Sequence, residues 1–113
     1  MNLPIRTAYQ GDTVFIDFDI VEPDGSRLDL TGTTVKWSMS DPDNLNSPLL
    51  TKTSPTSITL LSPTNGVCRV VIDAGDLATP GTYVQEIEVE QTTGVTYTYG
   101  QGPLVVKPTV IPT

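Results

Sequence analysis

The side chains of this 113-residue chain that are equipped for chemistry fall into a few short patterns. Tyr97 and Tyr99 stand two residues apart in a threonine-rich stretch, a spacing that puts both rings on one face of a strand. Facing outward they form an aromatic patch for a protein or carbohydrate partner, and facing inward they close a core. Glu86, Glu88 and Glu90 make an acidic row at the same spacing. Set beside Asp17 and Asp19, that row would gather oxygens for a hard cation, although a solvated strand face is the simpler reading. The Asp41-Pro42-Asp43-Asn44 loop has calcium-friendly residues but lacks the spaced ligands and distal bidentate acid of a calcium loop. No metal and no cofactor are expected.

Catalysis has less to draw on. There is no histidine, so Ser-His-Asp and Cys-His arrangements cannot form and common metalloenzyme sites lose their usual ligand. Cys68, the single cysteine, cannot make an internal disulfide and sits on the apolar side of its strand, where it reads as a small hydrophobe. Gly-rich phosphate loops are missing. A carboxylate pair acting on a glycoside would need a cleft that so small a domain does not evidently offer. The expectation is a protein that is not an enzyme.

Charge narrows the partners. Thirteen acids against six bases give a net charge of −7, and the bases, Arg6, Arg27, Lys36, Lys52, Arg69 and Lys107, are scattered rather than clustered as a phosphate backbone requires. No nucleic acid is expected. No apolar run approaches the ~20 residues that span a bilayer, so no membrane partner is expected either. The N-terminus, with Pro4, Arg6 and no apolar segment, does not read as a signal peptide, and synthesis in the cytoplasm is the expectation.

The elements that must position these groups are strands. Nine Gly and ten Pro punctuate the chain, and helical periodicity is nowhere sustained, so one all-β domain over residues 1–113 is expected: an antiparallel sandwich of about seven or eight strands. Alternation marks strands at about 3–8, 13–21, 33–40, 49–53, 56–61, 67–72, 83–90 and 95–99, with Gly100, Gly102 and Pro103 bending or bulging the chain before a last segment at 104–107. The period-two faces place the core at Val14, Ile16, Phe18, Ile20, Val35, Trp37, Met39, Cys68, Val70, Ile72, Tyr83, Ile87 and Val89. Trp37 reads as the central core ring. Tyr83, opening its strand after Pro80-Gly81, reads as the tyrosine of a sandwich corner, with its hydroxyl on backbone near residues 77–79.

Five segments carry a resemblance. Asp12-Thr13-Val14 opens an alternating strand. Glu22-Pro23-Asp24-Gly25, Leu28-Asp29-Leu30-Thr31-Gly32-Thr33-Thr34-Val35, Asn65-Gly66-Val67 and Pro80-Gly81-Thr82-Tyr83 before Glu86-Ile87-Glu88-Val89 follow. Together they resemble the Ig-like domains of tailed-phage virion proteins, most closely the N-terminal domain of phage baseplate upper proteins, over about residues 10–107. The resemblance implies an Ig-like fold and a non-catalytic part that docks one virion component on another. Baseplate upper proteins continue into further domains, whereas this chain has the length of a small separate gene product. A capsid decoration or cement protein is therefore the leading expectation, and a tail or baseplate adaptor the neighbouring one.

The expected setting is a virion, with many copies in a symmetric assembly and capsid, tail or baseplate subunits as partners. Short extended arms, about 1–8 and 108–113, and the threonine-rich strand would make the contacts, through Leu3, Ile5, Tyr97, Tyr99, Val110 and Ile111. A different class of reading is a carbohydrate-binding or adhesive surface module, with Tyr97, Tyr99 and Trp37 as stacking rings. Ring burial separates the two.

Overall fold

The computed structural model describes residues 3–22 and 24–110. Its strands are β1 (Arg6–Tyr9), β2 (Val14–Asp19), β3 (Thr34–Ser40), β4 (Leu50–Thr53), β5 (Ile58–Ser62), β6 (Val67–Ile72), β7 (Gly81–Glu90) and β8 (Thr96–Lys107). The chain is all-β. One sheet has the order β1-β8-β7-β3-β4 and the other β2-β6-β5.

Alternation explains how the two sheets share one core. In β3, Val35, Trp37 and Met39 point inward, and the β7 register sets Val35 opposite Val89, Trp37 opposite Ile87 and Met39 opposite Gln85. In the second sheet Ile16 and Phe18 of β2 stand opposite Val70 and Cys68 of β6. All of these side chains are buried, and all but Gln85 belong to a single hydrophobic cluster, with Ile20 and Ile72. Every expected core residue belongs to it except Val14, which is half-buried at its margin. Leu3, Ala8, Leu28, Leu30, Ile58, Leu77, Leu104 and Val106 complete the cluster.

Two expectations about strands need correction. The sheets are not wholly antiparallel, because β1 runs parallel to β8, with Arg6 opposite Leu104 and Tyr9 opposite Lys107. Residues 95–99 and 104–107 are also not separate strands. β8 is continuous from Thr96 to Lys107, and its register against β7 slips once, between the pairs Glu88–Thr98 and Ile87–Gly100. Tyr99 is the extra residue of that bulge. The slip reverses the parity of the strand, so that odd-numbered Tyr97 and even-numbered Leu104 and Val106 can all face inward.

The glycines just past the bulge have a physical reason for their type. A Cβ on Gly100 would lie 2.6 Å from Cδ2 of Leu3, and the Leu3 N–H donates to the Gln101 carbonyl at 2.9 Å. Leu3 therefore lies directly on bare backbone, and it is only 8% exposed. The expected N-terminal arm is thus part of the domain from Leu3 onward.

The segment between β2 and β3 is held by a turn on the far sheet. Gly66 has φ +74°, and a side chain there would run into the carbonyls of Ile20 and Leu28. Its own carbonyl accepts the Ile20 N–H at 2.9 Å, and the Pro63 carbonyl accepts the Leu30 N–H at 2.7 Å. These bonds bring Val21 and Glu22 to the end of the molecule where β8 begins.

Candidate functional site

Tyr97 is paired with Val89, a fully buried residue of β7, and cross-strand partners share a face. Its ring therefore points to the inner side of the sheet, yet it is 51% exposed. The cause is the length of the facing sheet: β2 ends at Asp19, and beyond it, among the described residues of that segment, Val21 and Glu22 reach the space under Tyr97. Tyr99, in the bulge, is half-buried against the core. The two rings meet edge to face, centroids 6.0 Å apart with planes at 63°. Neither expected orientation is complete: the rings face inward, but the second sheet does not reach over them.

The result is an open cleft of about 750 Å³ between the start of β8, the β7–β8 hairpin and the loop after β2. Val21, Val95, Tyr97 and Tyr99 supply its apolar walls, and Glu22, Gln91, Thr92, Thr93 and Thr98 its polar ones. The expectation that so small a domain offers no cleft is corrected. Burial raises the Tyr99 phenol above its usual 10, and the neighbouring Glu22 carboxylate adds to that rise. Glu22 is the one carboxylate among the described lining residues, and Thr92, Thr93 and Thr98 add hydroxyls, so the cleft offers apolar surface and hydrogen-bonding groups for binding.

The rim of the cleft is a strand edge. β1 covers β8 only at Leu104–Lys107 in register, with the Leu3 N–H reaching Gln101. In the hairpin Gln91 donates its N–H to the Val95 carbonyl at 2.8 Å, which makes that pair, and by alternation Val89–Tyr97, the bonded ones. The backbone N–H and C=O groups of Thr96 and Thr98 therefore point away from β7, and no described residue pairs with them. Both threonines are exposed.

The remaining expected contact residues scatter. Ile5 is exposed near β1, and Val110 is 95% exposed past the end of β8. Ile111 lies outside the described residues. Leu3 is covered by the chain's own glycines, so it is withdrawn from the residues open to a partner. Trp37 is fully buried, its indole N–H donated to Gln85, and cannot stack on a sugar.

The acidic groups do not converge either. Glu86, Glu88 and Glu90 lie on the outer face of the larger sheet, whereas Asp17 and Asp19 lie in β2 of the other sheet. Asp17 is bound by Arg69 at 2.7 Å, Asp19 by Arg27 at 2.9 Å, and Glu90 by Lys36 at 3.6 Å. Among the described residues, no group of three or more His, Cys, Asp or Glu side chains is placed to hold a metal. Burial pushes the Cys68 thiol up to about 12, with Asp17 and Asp19 contributing, so the thiolate is scarce at neutral pH.

Sequence reasoning missed Val21 and Glu22; it expected the threonine-rich strand to make contacts, but not that the outward main-chain groups of Thr96 and Thr98 are the open ones. Glu22 reads as the first residue of the turn Glu22-Pro23-Asp24-Gly25, and its place in the cleft depends on the distant Gly66 turn, a long-range contact with no local signature. No described helix is long and apolar enough to cross a membrane. In comparison with known proteins, no family model matches this chain and no curated protein matches it.

Proposed function

We propose that this chain is an Ig-like β-sandwich that serves as a non-enzymatic structural protein of a tailed-phage virion, docking on neighbouring virion subunits as a capsid decoration or cement protein does. A tail or baseplate adaptor is the neighbouring form of the same reading. The resemblance over about residues 10–107 supplies the virion setting. The association itself rests on one observation: beside an apolar cleft, the start of β8 offers main-chain groups that no described residue pairs. Exposed strand edges that natural proteins do not blunt or cover are sites where another chain adds. Many copies on a repeating lattice turn weak single contacts into strong retention.

The test is mass spectrometry of particles purified from cultures that produce this protein. The expected result is the chain at a fixed multiple of the major subunit, and its absence from washed particles overturns the reading.

The carbohydrate-binding reading loses Trp37 but keeps Tyr97 and Tyr99, whose open cleft also holds Glu22 and Gln91. Two rings set at 63° give a corner rather than one flat stacking platform. Binding of oligosaccharides by the isolated protein, with loss on Tyr97→Ala, would favour this reading over docking.

A further inference from the structure

Building on the association reading, we propose that residues 96–98 of β8 receive an extended segment of the partner as an added strand, with an aliphatic side chain seated against Tyr97 and Tyr99 and a Lys or Arg two residues along meeting Glu22.

The main chain sets the geometry. Thr96 and Thr98 turn two N–H and two C=O groups outward at alternate positions, the pattern a neighbouring strand satisfies. A strand laid there continues the larger sheet past the point where β1 stops covering it, since β1 pairs at Leu104 and beyond. Alternate side chains of that strand fall on the inner side, next to Tyr97, where the facing sheet has already ended. The cleft is where they would go, and its Tyr97, Tyr99, Val21 and Val95 surfaces call for an apolar group.

Charge selects the rest of the occupant. Glu22 lines the same cleft, the one acid that does, and has no ion-pair partner among the described residues. The chain as a whole carries −7, so a second copy of it brings the wrong charge. Because Glu22 and the tyrosines share one side, the aliphatic and basic residues of the partner must sit on one face of its strand, hence at positions i and i+2.

The test uses the full chain, isotope-labelled, titrated with acetylated Ser/Thr peptides that contain Val-Thr-Lys, Val-Thr-Glu or Ser-Thr-Lys. The Val-Thr-Lys peptide is expected to bind and to slow amide exchange at Thr96 and Thr98, with each of the other two weaker by about tenfold. Glu22→Gln should bring the Lys and Glu peptides to within about twofold of each other. Thr98→Pro removes an N–H that bonds to no described residue, so it should keep the fold and abolish binding. The proposal is overturned if no peptide binds, if the Lys and Glu peptides bind alike, or if oligosaccharides rather than peptides shift the Tyr97 and Tyr99 signals. Should Thr98→Pro not fold, Glu22→Gln decides. Particles separate this proposal from the reading it rests on. A folded Thr98→Pro protein that incorporates at full occupancy overturns the added strand and leaves the virion role intact, whereas a wild type absent from particles that still shows the peptide pattern does the reverse.

Discussion

Trp37 donates its indole N–H to the side-chain oxygen of Gln85 at 3.1 Å, between two strands and with both side chains almost wholly out of solvent. Gln85 occupies an inward position of β7 between Tyr83 and Ile87, where a hydrophobe would ordinarily stand. Its amide is there because a buried indole N–H without an acceptor is costly. Trp37→Ala should therefore destabilise by about 3–5 kcal/mol through lost burial and a cavity. Gln85→Leu, which keeps the volume but orphans the N–H, should cost about 1–3 kcal/mol. Denaturant melts of the two variants check both figures, and an unchanged midpoint for Trp37→Ala is incompatible with the buried ring.

The corner before β7 supports a second prediction. The Tyr83 hydroxyl donates to the Thr79 carbonyl at 2.6 Å, within the stretch anticipated from the position of the tyrosine after Pro80-Gly81. The bond ties the start of β7 to the loop that precedes it. Tyr83→Phe keeps the ring in the core and removes only this bond, so the loss should be about 0.5–1.5 kcal/mol. A melt indistinguishable from wild type would reduce Tyr83 to an ordinary core ring.

How much of this was legible in the sequence depends on the range of the interaction. Val67–Ile72, Val35/Trp37/Met39 and Ile87/Val89 announce themselves by local alternation, and the corner by local turn chemistry. Gln85 breaks the apolar alternation of β7, and only the position of Trp37 across the sheet explains it. Leu3 looks like part of a free arm until the bare backbone of Gly100 and Gly102 gives it a seat nearly a hundred residues away. Gly100, Gly102 and Pro103 did signal a bend or bulge, but not that it falls at Tyr99. The cleft was least legible, because it exists where one sheet outlasts the other, and strand lengths across a core leave no mark in any single segment.

Lys52 gives a third prediction, in pH. It shares the inner face with Trp37, its partner in register, so its stem is buried and only the ammonium emerges, 2.7 Å from Asp76 and 3.8 Å from Asp73. Burial alone would raise the Asp76 carboxyl, but the Lys52 ammonium and the Asp73 N–H outweigh it and hold the group below its ordinary 3.8. A carboxyl that is more acidic folded than unfolded adds stability above its unfolded pKa and loses it as pH falls through the folded one. Asp76→Asn should thus cost about 1–2 kcal/mol at pH 7, and the gap to wild type should close below about pH 3–4. Lys52→Met, which keeps the stem but leaves the Asp76 carboxylate without its ammonium, should cost a comparable amount, about 1–2 kcal/mol at pH 7. Melts at several pH values decide, and a gap that does not narrow in acid removes the ion pair as the cause.

The two ends of the chain should respond differently to trimming. Val110 lies past the last strand and almost fully in solvent, so removing residues 110–113 takes away no described core residue and should leave the melting midpoint unchanged. Leu3 is the reverse case: it packs on Gly100 and bonds Gln101, in the stretch of β8 between the cleft and the residues paired with β1. Removing residues 1–5 exposes that backbone and withdraws a buried leucine, at a cost of about 1.5–3 kcal/mol. It also lengthens the unpaired edge from Thr98 toward Gln101, so the shortened protein should self-associate or capture extended peptides more readily than wild type. Melting and sedimentation of the two truncations check this asymmetry, and equal stability of the pair would mean that the Leu3 contact contributes nothing to the fold.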